Sequence, residues 1–157
     1  KIKEIVPSGR TRAESVHNAF LKVADQCSLV LIHDGVRPFV GKDDIKKTII
    51  QAQQNGAAVL AVRVKDTIKN EKNGFITSTP LREKLWAAQT PQIIKKEILT
   101  EAYQKIENWG EVTDDVSLVE KLGKKVKIVE GSYSNIKITT KEDLLIAESL
   151  IKMTQVQ

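Results

Sequence analysis

The 157-residue chain has a single cysteine, Cys27, so no disulfide can close within it and a cystine-stapled secreted fold is excluded. Aromatic residues make up only 4% of the sequence, which leaves the core to Ile, Leu, Val and Ala. No apolar run approaches the roughly 18 residues that cross a bilayer, and no signal-peptide pattern opens the chain. Together these place it in a reducing cytoplasm, away from membranes. His17 and His33 have neither the spacing nor the companions of a zinc site. A G-x-S-x-G elbow and a Walker A loop are both missing, so no activated covalent nucleophile is expected. An initiating Met is also missing. The chain opens on Lys-Ile-Lys-Glu-Ile-Val as though already inside a strand, the start expected of a carboxyl-terminal portion of a longer protein.

What is present reads as one α/β domain over residues 1–157, long enough to bury a core. The central stretch is Ser28–Val40, SLVLIHDGVRPFV. Leu29 to His33 run without polar alternation and stop at Asp34-Gly35, the pattern of a strand buried on both faces of a parallel sheet. Ligands gather at the carboxyl ends of such strands, where Asp34 and Arg37 stand. Lys1–Val6 reads as an earlier strand, and Thr11–Asp25 as a helix with Ala13, Val16, Phe20 and Val23 on one face. On that helix His17 is expected to face outward. Cys27 is expected as a packed thiol and His33 as a satisfied strand-end histidine. Asp43 and Asp44 open a helix carrying Ile45, Ile49 and Ala52, which Gly56 ends. Ala57–Val64 is a second apolar strand, and the alternation implies parallel crossovers.

Residues 63–92 break the pattern. Asn70–Gly74 reads as a hairpin tip, and so long an excursion suggests a protruding arm. Helices resume around Ile98–Ile106 and Asp114–Leu122. Val126–Val129 and Ile136–Ile138 alternate as strands, and Thr140 with Asp143 forms a capping box for a last helix carrying Leu144, Ala147 and Ile151.

The candidate functional residues are cations and hydroxyls spread over loops, each with an ordinary structural reading beside it. Gly9-Arg10-Thr11-Arg12-Ala13-Glu14-Ser15 joins strand to helix, where amides can meet an anion, or it is a turn with two solvated arginines. Asp34 and Arg37 can serve a ligand or pair with each other. Thr67 and Arg82 lie in the arm, Thr113 and Asp114 suit a helix cap, and Lys137 on a strand can simply snorkel. The net charge of +5 is scattered Lys and reads as solvated surface. A nucleic-acid module would interleave clustered Lys and Arg with exposed aromatics, and the two Trp and three Phe sit apart from such clusters.

Six motifs in order carry a resemblance: G-R-T-R-A-E-S-V, H-D-G-V-R-P-F, V-K-D-T-I-K, L-W-A-A-Q-T-P-Q, T-D-D-V-S-L-V-E and V-E-G-S-Y-S-N-I-K-I-T-T-K-E-D-L. Their series resembles the 2-C-methyl-D-erythritol 4-phosphate cytidylyltransferases. The resemblance implies a Rossmann-like nucleotidyltransferase sheet with helices on both faces and a protruding arm, 63–92, that builds a homodimer. It implies cytidylyl transfer from CTP, with Mg²⁺, to a polyol phosphate in non-mevalonate isoprenoid synthesis, with no nucleic acid or membrane partner. By motif, Gly9, Arg12, Ser15 and the Gly35 amide would contact the nucleotide. Asp34, Arg37, Thr90 and Thr113 would line the sugar-phosphate pocket, and Lys137 would bind the attacking phosphate. Thr67 and Arg82 would reach into the partner subunit's site.

The residue types suit that chemistry, because bringing two anions together demands positioning and charge neutralisation rather than a nucleophile. Two departures stand out. Ser8-Gly9 replaces the family's Gly-Gly. The glycine-rich triphosphate loop of the family's amino-terminal portion is absent, as are its strands, so this chain alone is expected not to turn over CTP. A first strand at Lys1–Val6 is expected to have no partner beside Leu29–His33. The nearest rival is ribitol 5-phosphate cytidylyltransferase, and Leu85–Gln89 with Thr113-Asp114-Asp115 lean away from it. A non-catalytic dimerisation fragment is the rival of another class.

Overall fold

A computed structural model describes residues 2–109 and 112–155. The elements run α1 (Arg12–Phe20), β1 (Leu29–Ile32), α2 (Lys42–Asn55), β2 (Ala57–Arg63), β3 (Asn70–Lys72), β4 (Phe75–Ser78), β5 (Trp86–Lys95), α3 (Lys96–Lys105), α4 (Val116–Lys121), β6 (Lys127–Glu130) and α5 (Lys141–Gln155).

One four-stranded sheet, ordered β1-β5-β2-β6, forms the centre, and β3 pairs with β4 in a separate hairpin. β2 and β6 are parallel, while β5 runs antiparallel to both β1 and β2. β1 and β2 therefore point the same way, as the α2 crossover implies, but β5 separates them.

β2 shows why both faces must be covered. Ala57 and Val59 face one core with Ile94, Leu99, Val116 and Val119, against which α3 and α4 pack. Ala58 and Leu60 face the other with Ala52, Ile93 and Val129, against α2. Each fully buried Leu or Ile contributes roughly 1.5–3 kcal/mol of transfer free energy, so this two-sided aliphatic packing dominates the fold. Gly56 closes α2 at φ 90°, a left-handed conformation that side chains avoid. The last helix opens as expected: the Thr139 and Thr140 amides donate to Asp143 Oδ2, and the Asp143 amide donates to Thr140 Oγ1.

Several expectations are corrected. Lys1 lies outside the described residues, and Ile2–Val6 form no strand; Ile2 and Ile5 are exposed. Nothing in the described chain offers them a ladder, and β1 pairs only with β5. β1 is an edge strand, so its burial is one-sided: Val30 is buried while Leu31 is 45% exposed. Ile136–Ile138 belong to no strand and attach through the Ile138 amide donating to the Val36 carbonyl. Cys27 is exposed rather than packed. His17 is not outward-facing but packs against the rings of Tyr103 and Trp109 at 4.5 and 4.9 Å. On α5 only Ala147 of the expected face is buried; Leu144 and Ile151 are exposed.

The excursion also ends earlier than residue 92. β5 begins at Trp86, and Gln89 to Ile94 are buried in the sheet. Pro91 hid this strand, since proline cannot donate to a ladder. The sheet accommodates it at a register shift between Val59 and Ala61 of β2. What projects is the segment between β2 and β5, with the β3–β4 hairpin where Asn70–Gly74 predicts one.

Replacing Gly56 with Ala would impose a side chain on a left-handed φ and place its Cβ 2.7 Å from Ile98 Cδ1. Gly56→Ala is expected to lower unfolding stability by more than about 1 kcal/mol. Gly35→Ala, where a Cβ meets nothing within 4 Å, should stay within about 0.5 kcal/mol in the same urea titration.

Candidate active site

The turn after β1 builds the site. The Asp34 amide donates to Thr90 Oγ1 at 3.0 Å, and His33 Nδ1 lies 2.9 Å from the same hydroxyl. The Arg37 carbonyl can only accept, so Nε2–H donates to it at 3.0 Å and Nδ1 of the neutral ring is left to accept from the hydroxyl. His33 is the satisfied strand-end histidine that the sequence suggests, and its ring braces the Asp34–Arg37 turn against β5.

Around Asp34 three cations converge from separate segments. Arg37 Nε donates to Asp34 Oδ2 at 3.2 Å, Lys137 Nζ stands 3.4 Å from the same oxygen, and Arg12 Nη2 is 3.8 Å from Oδ1. Lys137 comes from the loop that follows β6, and Arg12 from the first turn of α1. Arg12 also donates to Asp115 Oδ2 at 2.6 Å. Thr90, Thr113, Gln92 and Asp114 complete a cavity of about 150 Å³ with Arg12, Asp34, Arg37 and Lys137. A second, more apolar cavity of about 480 Å³ lies between α1 and β1, shares Arg12 and Asp34, and is also lined by Ser15 and Gly35.

The charges oppose one another. Partial burial works against the Asp34 carboxylate, but Lys137, Arg37 and Arg12 outweigh it and hold its pKa below the usual range. Burial pushes the Asp115 carboxyl up; Arg12 pulls it down, and Asp114 and Asp34 add to the rise. Desolvation also works against the Arg12 charge, yet the bond and charge of Asp115 hold the guanidinium more firmly protonated than usual.

Of the eleven site residues read from the sequence, Asp34, Arg37, Thr90, Thr113, Lys137 and Arg12 share the smaller cavity. Ser15 and Gly35 line the larger one. Gly9 is tied to this group because its amide donates to Ser15 Oγ at 3.0 Å. Arg82 and Thr67 are not there. Arg82 lines a cavity at the arm base with Arg63, Val64 and Glu83 and donates to the Lys65 carbonyl, and Thr67 is exposed on the arm. Arg63 lies 4.1 Å above the Trp86 ring, and Lys65 lies 3.7 Å above Tyr133. Both contacts lie within the chain at the arm base.

Sequence reasoning missed four residues. Gln92 Oε1 accepts the Asp115 and Val116 amides while its Nε2 donates to Asp114, capping α4 from the sheet. Gln89 and Asn135 are buried and bonded to each other, and Asp115 is 1% exposed. The one signal available was their presence inside otherwise apolar or motif-bearing stretches. Another cavity, about 630 Å³, lies at the other end of β1, among Asp25, Ser28, Lys95, Lys96 and Glu97. Its Lys96 is already satisfied by Asp25 and the Ala24 carbonyl.

Comparison with known proteins joins this geometry to a lineage. The family model for 2-C-methyl-D-erythritol 4-phosphate cytidylyltransferase (IspD) matches residues 1–153. The chain belongs to this cytidylyltransferase family. A relative of that name from Alkaliphilus oremlandii is 47% identical over 154 residues, covering 97% of this chain and 65% of its own length. One from Halalkalibacterium halodurans is 51% identical over 152 residues, covering 96% and 66%. The crystal structure of the Thermus thermophilus cytidylyltransferase superposes with a TM-score of 0.84 at 34% identity, covering 97% of this chain and 76% of that one. The 4-diphosphocytidyl-2C-methyl-D-erythritol synthase of Anaerococcus prevotii gives 0.84 at 38%, covering 92% and 68%. The chain thus spans slightly under two thirds of the curated relatives' length. The mixed α/β sheet with helices on both faces is the cytidylyltransferase fold.

The two carboxylates should titrate in opposite senses. Asp34, with its folded pKa depressed, stabilises the fold above about pH 4, and that stability is lost as pH falls through the folded value. Asp115, with its folded pKa raised, has its stabilising contribution below the unfolded value, and that is lost as pH rises through the folded one. Urea midpoints across pH should therefore lose the acid-side decline in Asp34→Asn and the decline on the other side in Asp115→Asn.

Proposed function

We propose that the protein to which this chain belongs transfers a cytidylyl group from CTP to 2-C-methyl-D-erythritol 4-phosphate and releases pyrophosphate. The supporting observation is the convergence of Arg37 and Lys137 on Asp34 at a strand end, in a chain of the cytidylyltransferase family. In this reading Lys137 binds the attacking phosphate, while Asp34, Arg37, Thr90 and Thr113 hold the polyol phosphate. The substrate phosphate attacks the α-phosphorus of CTP, a P–O bond forms, and the bond to pyrophosphate breaks. The obstacle is repulsion between anions, so fixed cations lower the barrier by charge neutralisation and orientation. Lys137, with 45% of its side chain exposed and its ammonium 3.4 Å from Asp34, is the cation best placed to turn to a ligand. Asp34, relieved of Lys137, can accept from a polyol hydroxyl.

The nucleotide is assigned to the larger cavity beside α1, with Gly9, Arg12, Ser15 and the Gly35 amide. The donor set gives Mg²⁺ no cage of its own. Asp34 keeps Arg37 when Lys137 turns away, Asp114 is bonded by Gln92, and no group of three metal-binding side chains occurs among the described residues. Mg²⁺ would then travel with the triphosphate, as the ion often does, and neutralise its charge.

Two further assignments belong to this reading. The arm forms a homodimer, because Phe75 and Ile76 of β4 and Leu81 are exposed apolar residues at its surface. Thr67 and Arg82 then face the partner subunit's site. A further segment of the protein supplies the glycine-rich triphosphate loop and pairs with the open edge of β1, beside the apolar cavity of Val16, Phe20, Val30 and Leu31.

The test is pyrophosphate release by the complete protein with CTP and either 2-C-methyl-D-erythritol 4-phosphate or ribitol 5-phosphate. Activity with the first is expected, with a loss of at least 100-fold, on the order of 3 kcal/mol, in Lys137→Ala. The isolated chain should release none. Preference for ribitol 5-phosphate, or an unaffected Lys137→Ala, overturns the assignment, and sedimentation as a monomer overturns the dimer.

A further inference from the structure

Residues 131–139, which carry Lys137, form no helix or strand, yet their central side chain is completely buried. That side chain is Asn135. Its Nδ2 donates to Gln89 Oε1 at 3.1 Å and to the Thr90 carbonyl at 3.0 Å, both on β5. Its own carbonyl accepts from Arg37 Nη1 at 2.9 Å. Gln89 returns a bond to the loop, its Nε2 donating to the Ser132 carbonyl at 3.1 Å. The Asn135 amide donates to the same carbonyl, and the Ile138 amide to the Val36 carbonyl.

We infer that Asn135 is a positioning residue, which sets Arg37 and Lys137 at a common distance for the phosphate of the acceptor substrate. The inference rests on the function proposed above. Its side-chain Oδ1 is buried and accepts nothing among the described residues, an arrangement that costs free energy. What the protein retains is therefore the NH₂ group, the one asparagine feature that can give two hydrogen bonds to two carbonyl-type acceptors at once. Serine has one proton to give and aspartate none. From Asn135 one path leads through its backbone carbonyl to the Arg37 guanidinium. Another leads two residues along the loop to Lys137, whose side chain has no partner but Asp34 among the contacts described. Fixing the loop on β5 thus places both cations relative to Asp34 without Asn135 reaching the ligand.

The experiment is Asn135→Ser in the complete protein, read by amide hydrogen exchange over residues 131–139 and by separate KM values for 2-C-methyl-D-erythritol 4-phosphate and CTP. Exchange at the Asn135 and Ile138 amides should accelerate by about tenfold or more while β2 and β5 remain protected. The KM for the polyol phosphate should rise about tenfold with that for CTP within about twofold. Because part of the effect passes through Lys137, the loss in the double variant with Lys137→Ala should fall short of the product of the two single losses. Unchanged loop exchange, equal rises in both KM values, or multiplied losses in the double variant would overturn the inference. Exchange decides it even if the wild type proves inert to both polyol phosphates, a result that sinks only the proposed function. Should Asn135→Ser fail to fold, Gln89→Met removes one of the two acceptors and should loosen the same amides.

Discussion

Asp34 is the charge on which the site depends. Its two oxygens collect Arg37 from its own turn, Lys137 from the loop beyond β6 and Arg12 from the start of α1. Without that carboxylate three like charges would crowd a cavity of about 150 Å³, a repulsion that a partly buried position screens poorly. The resulting site is balanced rather than strongly positive, since Asp34, Asp114 and Asp115 stand against the three cations. Such a balance suits exchange. An arriving anion can take over cations from a carboxylate already holding them in place, so little reorganisation is needed when it binds.

The second constraint is β5. Sheet centres are normally apolar, but Gln89, Thr90 and Gln92 are all buried there. Each is satisfied by a different connecting segment: Gln89 by the loop carrying Lys137, Thr90 by the Asp34 turn, and Gln92 by the start of α4. Buried polar groups that are fully bonded fix geometry more sharply than apolar packing does.

How far these features can be read from sequence follows from their physics. Ala57–Arg63, Leu29–Ile32 and the helices around them were legible because aliphatic runs and helical periods report burial directly. The Thr140–Asp143 cap was legible because its chemistry is local. Pro91 concealed β5, for the tolerated proline depends on a register shift in the neighbouring strand, which no local pattern reveals. Leu31 and Leu144 look like core residues and are exposed, because burial needs a covering element as well as an apolar side chain. At the site, Asp34, Arg37 and Lys137 were legible through motif. Asn135, Gln92 and Asp115 were not, since a buried polar residue announces itself only through partners distant in sequence, such as Arg12 for Asp115 across 103 positions.

The placement of β5 between β1 and β2 has one more effect. Because the segments that line the Asp34 cavity are each fastened to this strand as well as to one another, it serves them as a shared backplane. A lineage can lengthen the outer part of one of them while the strand keeps the others in alignment. The residues of the backplane have no such freedom, since altering any one would misalign a segment while leaving the hydrophobic layers on either side intact.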